Sequence, residues 1–298
     1  EVAERVDSSP GNNLYLTIDK DYQIQAYNLL EEEIAGILLQ KLSSSGEGRI
    51  DMNEVFAALI KNGIIDLEHM KDKGASELEK SIYALYESQE SSRFEIIRHL
   101  LDGTNMNSYN ACSEEEREYI ELIENIIINN GILDTSRLSS DDETSQLWTT
   151  GNTSLYEYLH YAIGKDAIQV SALEISDTFL DSDQIYAALT DFILLELDGN
   201  NSFSKIVYSA MLSQGMITGQ QVCLLLYEQG VLEKDAEYDN LLNNVTDAYA
   251  FMYNKIKNLE ITPDMLALDP CSGSLVHLSR CRARARAPKA VSYTHLRA

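Results

Sequence analysis

The chain has 298 residues, of which 44% are hydrophobic, and a formal net charge of −25. This length is enough for one large domain or two ordinary ones, and the hydrophobic content excludes wholesale disorder. Such an acidic surface would repel nucleic acid and anionic lipid, so we expect neither as a partner.

The first regular elements are a predicted strand and a predicted helix. Leu14, Leu16 and Ile18 alternate with other residues, which is the pattern of a short strand. Asp19 is a good N-cap, and the apolar residues that follow it recur at helical spacing as far as residue 42. The predicted apolar stripe consists of Ile24, Tyr27, Leu30, Ile34, Ile37 and Leu38.

Helical patterns then dominate the chain as far as residue 259. Predicted helices cover residues 53–63, 76–101, 113–129, 154–163, 182–197, 202–212, 219–229 and 238–259. Capping boxes at Ser76 and Ser113 and a proline at position 263 mark three helix starts. The acidic segment 139–146 is predicted to be an exposed loop.

One stop signal recurs four times, as KNGIID, NNGILD, SQGMIT and EQGVLE. In each copy a glycine ends a helix, and apolar residues that can pack back on the helix follow it. The four glycines, at 63, 131, 215 and 230, are irregularly spaced. The pattern therefore predicts a recurrent helix–turn–helix device in a compact helical domain, since a solenoid would require a fixed period.

The four cysteines form no CxxC motif and indicate no disulfide framework. Cys223 lies in the apolar run VCLLLY and is predicted to be a small core residue. The histidines His69, His99 and His160 are isolated in sequence and are interpreted as ordinary surface or core residues. No apolar run is long enough to span a membrane.

Two short stretches carry a resemblance to a known family. LTIDKDYQ at 16–23, followed by an amphipathic helix, resembles the entry to the transpeptidase domain of class B penicillin-binding proteins. DPCSGSLV at 269–276 resembles the next strand of that domain. About 230 residues, mostly with helical patterns, separate the end of that first helix from the second stretch, as in a subgroup of the family that looks clostridial.

The resemblance implies a mainly α chain in which a multi-helix insertion domain is attached to a small α/β fragment of the transpeptidase domain. Residues 1–42 would be a linker, a strand and the first helix of that domain, and 43–260 the insertion. Residues 261–276 would begin the next strand. Residues 277–298 carry six Lys or Arg and no Asp or Glu, and their end resembles a translated sequencing adapter. We interpret them as a non-native tail; a genuine basic tail for anionic partners is the alternative.

By the same resemblance, the parent protein would cross-link peptidoglycan stem peptides by serine D,D-transpeptidation and would be acylated by β-lactams. It would act at the extracytoplasmic face of the bacterial membrane, anchored by a segment missing from this chain. Envelope proteins of the division or elongation machinery are expected partners of the insertion. The resemblance implies no cofactor.

The family's catalytic motifs are SxxK, SxN and KTG, in that order. Here Ser202 and Lys205 form a chance SxxK, Ser108 and Asn110 form a chance SxN, and Lys61 opens KNG, the nearest stretch to KTG. Their order is wrong, and Ser202 is better explained as the N-cap of a helix. We therefore assign no catalytic, cofactor-binding or metal residue and predict that this fragment is inactive.

Two other interpretations stay open. One is an acidic helical protein-interaction module. The other is a degenerate calcium-binding loop at 43–54, SSSGEGRIDMNE, with Gly48 and Glu54 at the sixth and twelfth positions. Its first and third positions are Ser43 and Ser45, where a calcium loop needs Asp or Asn.

Overall fold

The computed structural model describes residues 19–43, 49–173 and 180–267. Within these ranges the chain forms twelve α-helices and four short 3-10 turns. The only β pairing there is an isolated antiparallel bridge between Leu133 and Ile168. The prediction of a mainly α chain is therefore confirmed, whereas the strands predicted at 14–18 and 274–276 lie outside the described residues.

In chain order the helices are α1 (Lys20–Ser43), α2 (Met52–Lys61), α3 (Glu77–Leu101), α4 (Glu114–Asn129), α5 (Glu143–Thr149), α6 (Leu155–Gly164), α7 (Ser182–Leu197), α8 (Asn201–Ser213), α9 (Gly219–Glu228), α10 (Ala236–Asn243), α11 (Ala248–Lys257) and α12 (Pro263–Leu266).

The predicted helix starts are set by local caps. Ser76 accepts a hydrogen bond from the Glu79 N–H, and the Glu79 carboxylate accepts one from the Ser76 N–H. Ser113 and Glu116 form the same reciprocal pair at the start of α4. Each box satisfies two N–H groups that the first turn of a helix otherwise leaves unpaired.

The four predicted glycine stops are confirmed. Gly63, Gly131, Gly215 and Gly230 all have φ between 68° and 72°, the left-handed conformation that only glycine adopts without cost. After Gly63, for example, the N–H of Ile65 returns to the carbonyl of Leu59 at 3.1 Å, and the Ile65 side chain is fully buried. The apolar residue thereby closes the turn against the helix that it follows.

Three local predictions were wrong. The single helix predicted at 238–259 is divided into α10 and α11, because Asn244 is extended and Asp247 caps a new helix through the N–H groups of Tyr249 and Ala250. The loop predicted at 139–146 ends early, since α5 begins at Glu143. The N-cap of α8 is Asn200, two residues before the predicted Ser202.

Helix α8 lies at the centre of the fold and packs against α2, α3 and α4. Phe203, Val207 and Met211 on α8 are fully buried. Tyr208, also on α8, stacks on Tyr86 of α3 with ring centroids 4.9 Å apart and planes within 6°. Aromatic stacking of this kind adds to the free energy that burial of the rings contributes.

A buried carboxylate connects three distant segments around this core. Glu79 is almost fully buried, and its oxygens contact the Ser76 N–H at 2.7 Å, His69 Nδ1 at 2.7 Å and Gln229 Nε2 at 2.9 Å. Gln229 also bonds the backbone of Asp66 through both ends of its amide. Glu79 thus connects the start of α3 to the end of α9 and to the turn that follows α2.

These contacts shift both titrating groups. Burial alone would raise the pKa of Glu79, but the hydrogen bonds from Ser76, Gln229 and His69 outweigh it and hold the pKa below its usual value. The hydrogen bond to Glu79, and then its charge, raise the pKa of His69. The Glu79 contribution to stability is lost as pH falls through its lowered pKa, and the His69 contribution is lost as pH rises through its raised pKa.

We predict that Glu79→Gln lowers the free energy of unfolding by about 1–3 kcal/mol, because a buried acceptor of several hydrogen bonds loses its charge. Urea denaturation at pH 6, between the usual pKa ranges of carboxyls and imidazoles, should show the full loss. The matched control is Glu77→Gln, whose side chain is 92% exposed and pairs with Lys80 on the helix surface. Its effect should stay within about 0.5 kcal/mol. Equal effects of the two variants would contradict the role given to Glu79.

Candidate functional site

The first half of α1, residues 20–30, is exposed to solvent in the part of the chain that the structure describes. Every residue from 19 to 30 is exposed, and five of them have large apolar or aromatic side chains. These five are between 47% and 74% exposed: Tyr22, Ile24, Tyr27, Leu29 and Leu30. Helical geometry places Ile24 and Tyr27 on one side of α1 and Tyr22 and Leu29 on the other, so these side chains do not form a single face.

One face of the second half of the same helix is buried. Ala35, Leu38 and Leu42 belong to the hydrophobic core, where α1 packs against α11 and α12. Ile24 and Tyr27 lie on the same face as these residues, because they precede Leu38 by whole numbers of helical turns. Of the predicted apolar stripe, Leu38 is buried and Ile34 is half-buried, whereas Ile24, Tyr27, Leu30 and Ile37 are exposed.

The change from exposed to buried occurs at Glu31, where α12 meets α1. Glu31 is 8% exposed, and its Oε2 accepts a hydrogen bond from the backbone N–H of Asp264 at 3.4 Å. Partial loss of hydration, and then the charges of Asp264 and Glu31, raise the pKa of Tyr27. Tyr27 therefore lies beside α12, at the edge of the uncovered half.

The end of α12 is fixed to α2. The side-chain amide of Asn62 donates to the carbonyl oxygens of Met265, at 3.2 Å, and of Leu266, at 2.5 Å. The last described residue, Ala267, follows directly. The middle of α1 and the end of α12 are therefore neighbours.

The chance catalytic motifs have structural roles. The N–H of Ser202 is bound by the Asn200 side chain at 2.9 Å, as expected in the first turn of a helix. Lys61 pairs with Glu118. The Asn110 amide donates to the carbonyl of Thr150 at 2.8 Å. None of these contacts resembles the activation of a nucleophile by a base.

The candidate calcium loop also has a structural role at its described end. The carboxylate of Asp51 accepts the N–H of Asn53 at 2.8 Å, and that of Glu54 accepts the N–H of Asp51 at 3.0 Å. Together they form the capping box of α2. Within residues 19–43, 49–173 and 180–267, no group of three His, Cys, Asp or Glu side chains could hold a metal ion.

An acidic cavity of about 240 Å³ lies between α2, α4 and α8. Five carboxylates line it together with Lys61: Asp51, Glu54, Glu114, Glu115 and Glu118. Burial, together with the charges of Asp51 and Glu114, raises the pKa of Glu54, although a backbone hydrogen bond opposes the shift. The potential in this cavity favours a cationic group.

The three histidines are structural. His69 contacts Glu79, and His99 Nδ1 lies 2.7 Å from the Thr104 hydroxyl. His160 stacks on Tyr186 with centroids 4.1 Å apart, at the edge of an open depression between α3, α6 and α7. The Nε2 atom of His160 is buried and has no hydrogen-bond partner.

The two described cysteines are buried thiols, as predicted for Cys223. Burial raises the pKa of Cys223 to about 12 and also raises that of Cys112. Both thiols are therefore protonated and unreactive at neutral pH. Cys271 and Cys281 lie outside the described residues.

No helix in the described part of the chain is both long and apolar enough to cross a membrane. Comparisons with protein-family models, with curated proteins and with solved structures find no match to this chain.

We predict that calcium does not stabilise the protein, because Asp51 and Glu54 already serve as helix caps. A calcium ion bound only to the folded state would add about 2.7 kcal/mol at a hundredfold excess over its dissociation constant. Thermal unfolding with calcium and with a chelator should give the same midpoint.

The control for this prediction is Asp51→Ala, which removes the cap. It should lower the free energy of unfolding by about 1 kcal/mol with or without calcium. A calcium-dependent rise in the midpoint that Asp51→Ala abolishes would restore the calcium interpretation.

Proposed function

We propose that this chain is a helical insertion together with flanking pieces of a penicillin-binding transpeptidase domain. The parent protein cross-links peptidoglycan stem peptides by serine D,D-transpeptidation, and β-lactams acylate the same serine. The chain itself contains a chance SxxK and a chance SxN in the wrong order and has no KTG in its sequence, so we propose that it is catalytically inactive.

The observation that carries this proposal is the contact between α12 and the middle of α1. An insertion must leave and re-enter its host at neighbouring points. Glu31 and Asp264 lie in the two predicted host pieces, 1–42 and 261–276, and the hydrogen bond between the Asp264 N–H and Glu31 holds these pieces together beside the insertion. Long insertions with such ends are tolerated, because the entropy of closing a loop grows only slowly with its length.

The positions of the two family-like stretches agree with this arrangement. LTIDKDYQ runs directly into α1, and DPCSGSLV begins two residues after Ala267. The second stretch thus follows the end of α12 closely in sequence, whereas Asp19 of the first lies about 18 Å along α1 from Glu31. An exposed first half of α1 is expected if this part of the helix packs against the sheet of a host domain in the parent protein.

For the helical body we propose a docking role towards envelope proteins of the division or elongation machinery. The support is the acidic surface, including the cavity between α2, α4 and α8. The location that follows is the extracytoplasmic face of the membrane, with an anchor in the parent. A pull-down with the parent protein should recover envelope proteins, and deletion of residues 49–257 should abolish their recovery. Recovery of no envelope protein, or recovery that does not depend on these residues, would contradict the docking role.

The parent activity is tested by labelling with a fluorescent penicillin. In the parent gene, the reading frame beyond the codon for Val276 should encode an SxxK. The full-length product should be labelled, and the present chain should not. Replacing the serine of that downstream SxxK by alanine should abolish labelling. The matched control, Ser202→Ala in the same full-length protein, should leave it unchanged, because Ser202 belongs to the first turn of α8. A frame without SxxK, or a full-length product that is not labelled, would overturn the proposal.

A further inference from the structure

A cluster of aromatic rings lines the open depression between α3, α6 and α7, whose volume is about 440 Å³. His160 stacks on Tyr186 with ring centroids 4.1 Å apart, and the Tyr156 centroid lies 4.4 Å from that of His160 and 5.4 Å from that of Tyr186. The hydroxyl of Tyr186 donates to the carbonyl of Leu101, which fixes its ring. The three side chains are half-buried, so each keeps part of its surface open to solvent.

Three aspartates line the same depression, and no Lys or Arg is among its described lining residues. Asp102 already accepts hydrogen bonds from the N–H and hydroxyl of Thr104, at 2.9 and 2.6 Å, and lies 3.8 Å from His99 Nδ1. Asp183 and Asp191 are exposed and make no hydrogen bond or ion pair within the described part of the chain. They lie on one side of α7, about 12 Å apart along its axis. Two unpaired carboxylates therefore face the solvent beside the aromatic rings.

We propose that this depression is a docking site for an arginine-bearing segment of a partner protein. A guanidinium group is planar, so it can stack on an aromatic ring while its N–H groups pair with a carboxylate. Tyr156 and His160 supply the aromatic surface from α6, and Asp183 and Asp191 supply the unpaired charge from α7. An anionic ligand would be repelled by the aspartates and would meet no Lys or Arg among the described lining residues.

The acidic cavity between α2, α4 and α8 fits such a partner less well. Lys61 already lies among its carboxylates and pairs with Glu118, and Asp51 and Glu54 form the capping box of α2. No aromatic ring is among the described residues that line this cavity. Its charges are therefore partly compensated, and it offers no surface on which a guanidinium could stack.

The site is tested with the full chain and a fluorescein-labelled peptide, Gly-Arg-Gly-Gly-Arg-Gly amide. Its two arginines are about 10 Å apart in an extended chain, close to the axial separation of Asp183 and Asp191. Binding is measured by fluorescence anisotropy at pH 8, above the usual range of imidazole pKa values. Salt at about 0.15 M screens charges that are more than about 8 Å apart. Two further peptides replace both arginines by lysine or by citrulline, which is neutral.

We expect the double variant Asp183→Asn, Asp191→Asn to weaken binding of the arginine peptide by at least about fivefold, because both unpaired carboxylates are lost. Tyr156→Leu should weaken it about two- to fivefold, because an aromatic face is lost while apolar bulk is kept. The matched control, Glu32→Gln with Glu33→Gln, removes two exposed charges from α1 and should change binding by less than about twofold. Circular dichroism confirms that each variant folds, and the double aspartate variant decides the test if Tyr156→Leu does not.

The lysine peptide should bind more weakly than the arginine peptide, and the citrulline peptide should not bind. Absence of arginine-peptide binding, or equal binding of either replacement peptide, would overturn the proposal. So would an equal loss of binding in the α1 control. A loss in Glu114→Gln that the double aspartate variant does not share would assign the basic segment to the acidic cavity instead, and would also overturn it.

This inference rests on the docking role proposed above, because it names the site and the chemistry of the partner. The two fail separately. If recovery of envelope proteins depends on residues 49–257 but peptide binding does not respond to the aspartate variant, the docking role stands and this site is wrong. If the peptides behave as expected but the parent recovers no envelope protein, the site stands and the docking role is wrong.

Discussion

The packing of α12 against the middle of α1 is the constraint on which the rest of the structure depends. It brings the last described residues of the chain to within one hydrogen bond of the first helix, at the buried carboxylate of Glu31. It also divides α1 into a half that belongs to the helical core and a half that extends beyond it. The insertion hypothesis rests on this one contact.

The body between these ends is held by a few repeated devices. Ser and Asp caps begin its helices, and left-handed glycines end four of them so that the next apolar residue packs back on the core. Around the central α8, aromatic side chains fill the space between helices, as in the stack of Tyr86 on Tyr208. Helices packed in this way hold the middle of α1 and the end of α12 at a fixed distance from each other.

Much of this local structure could be predicted from the sequence, because caps and glycine stops act over a few residues. The boundaries of α4 follow from Ser113 and from the glycine at 131, and the structure has them there. The break between α10 and α11 was missed because apolar spacing continued through it. The signal that could have located the break is Asp247, whose carboxylate caps the second helix.

Long-range features could not be predicted. The periodicity of α1 predicts an apolar stripe of which only Leu38 is buried. The buried face begins at Glu31, and only the position of α12 explains why. The contact of Glu79 with Gln229 joins residues 150 positions apart, and nothing in either local sequence indicates it. The same holds for the acidic cavity, whose carboxylates come from two separate helices, α2 and α4, and from the residue that caps α2.

The most direct test of the central claim, that α12 packs against the middle of α1, is the distance between the start of α1 and the end of α12. Spin labels at Asp19→Cys and Ala267→Cys, in a chain that also carries Cys271→Ser and Cys281→Ser, report it by pulsed dipolar spectroscopy. Twelve residues of helix separate Asp19 from Glu31, so we predict a single narrow distribution centred at about 20 Å. A broad distribution, or one centred beyond about 40 Å, would mean that α12 does not pack against the middle of α1 and would contradict the account.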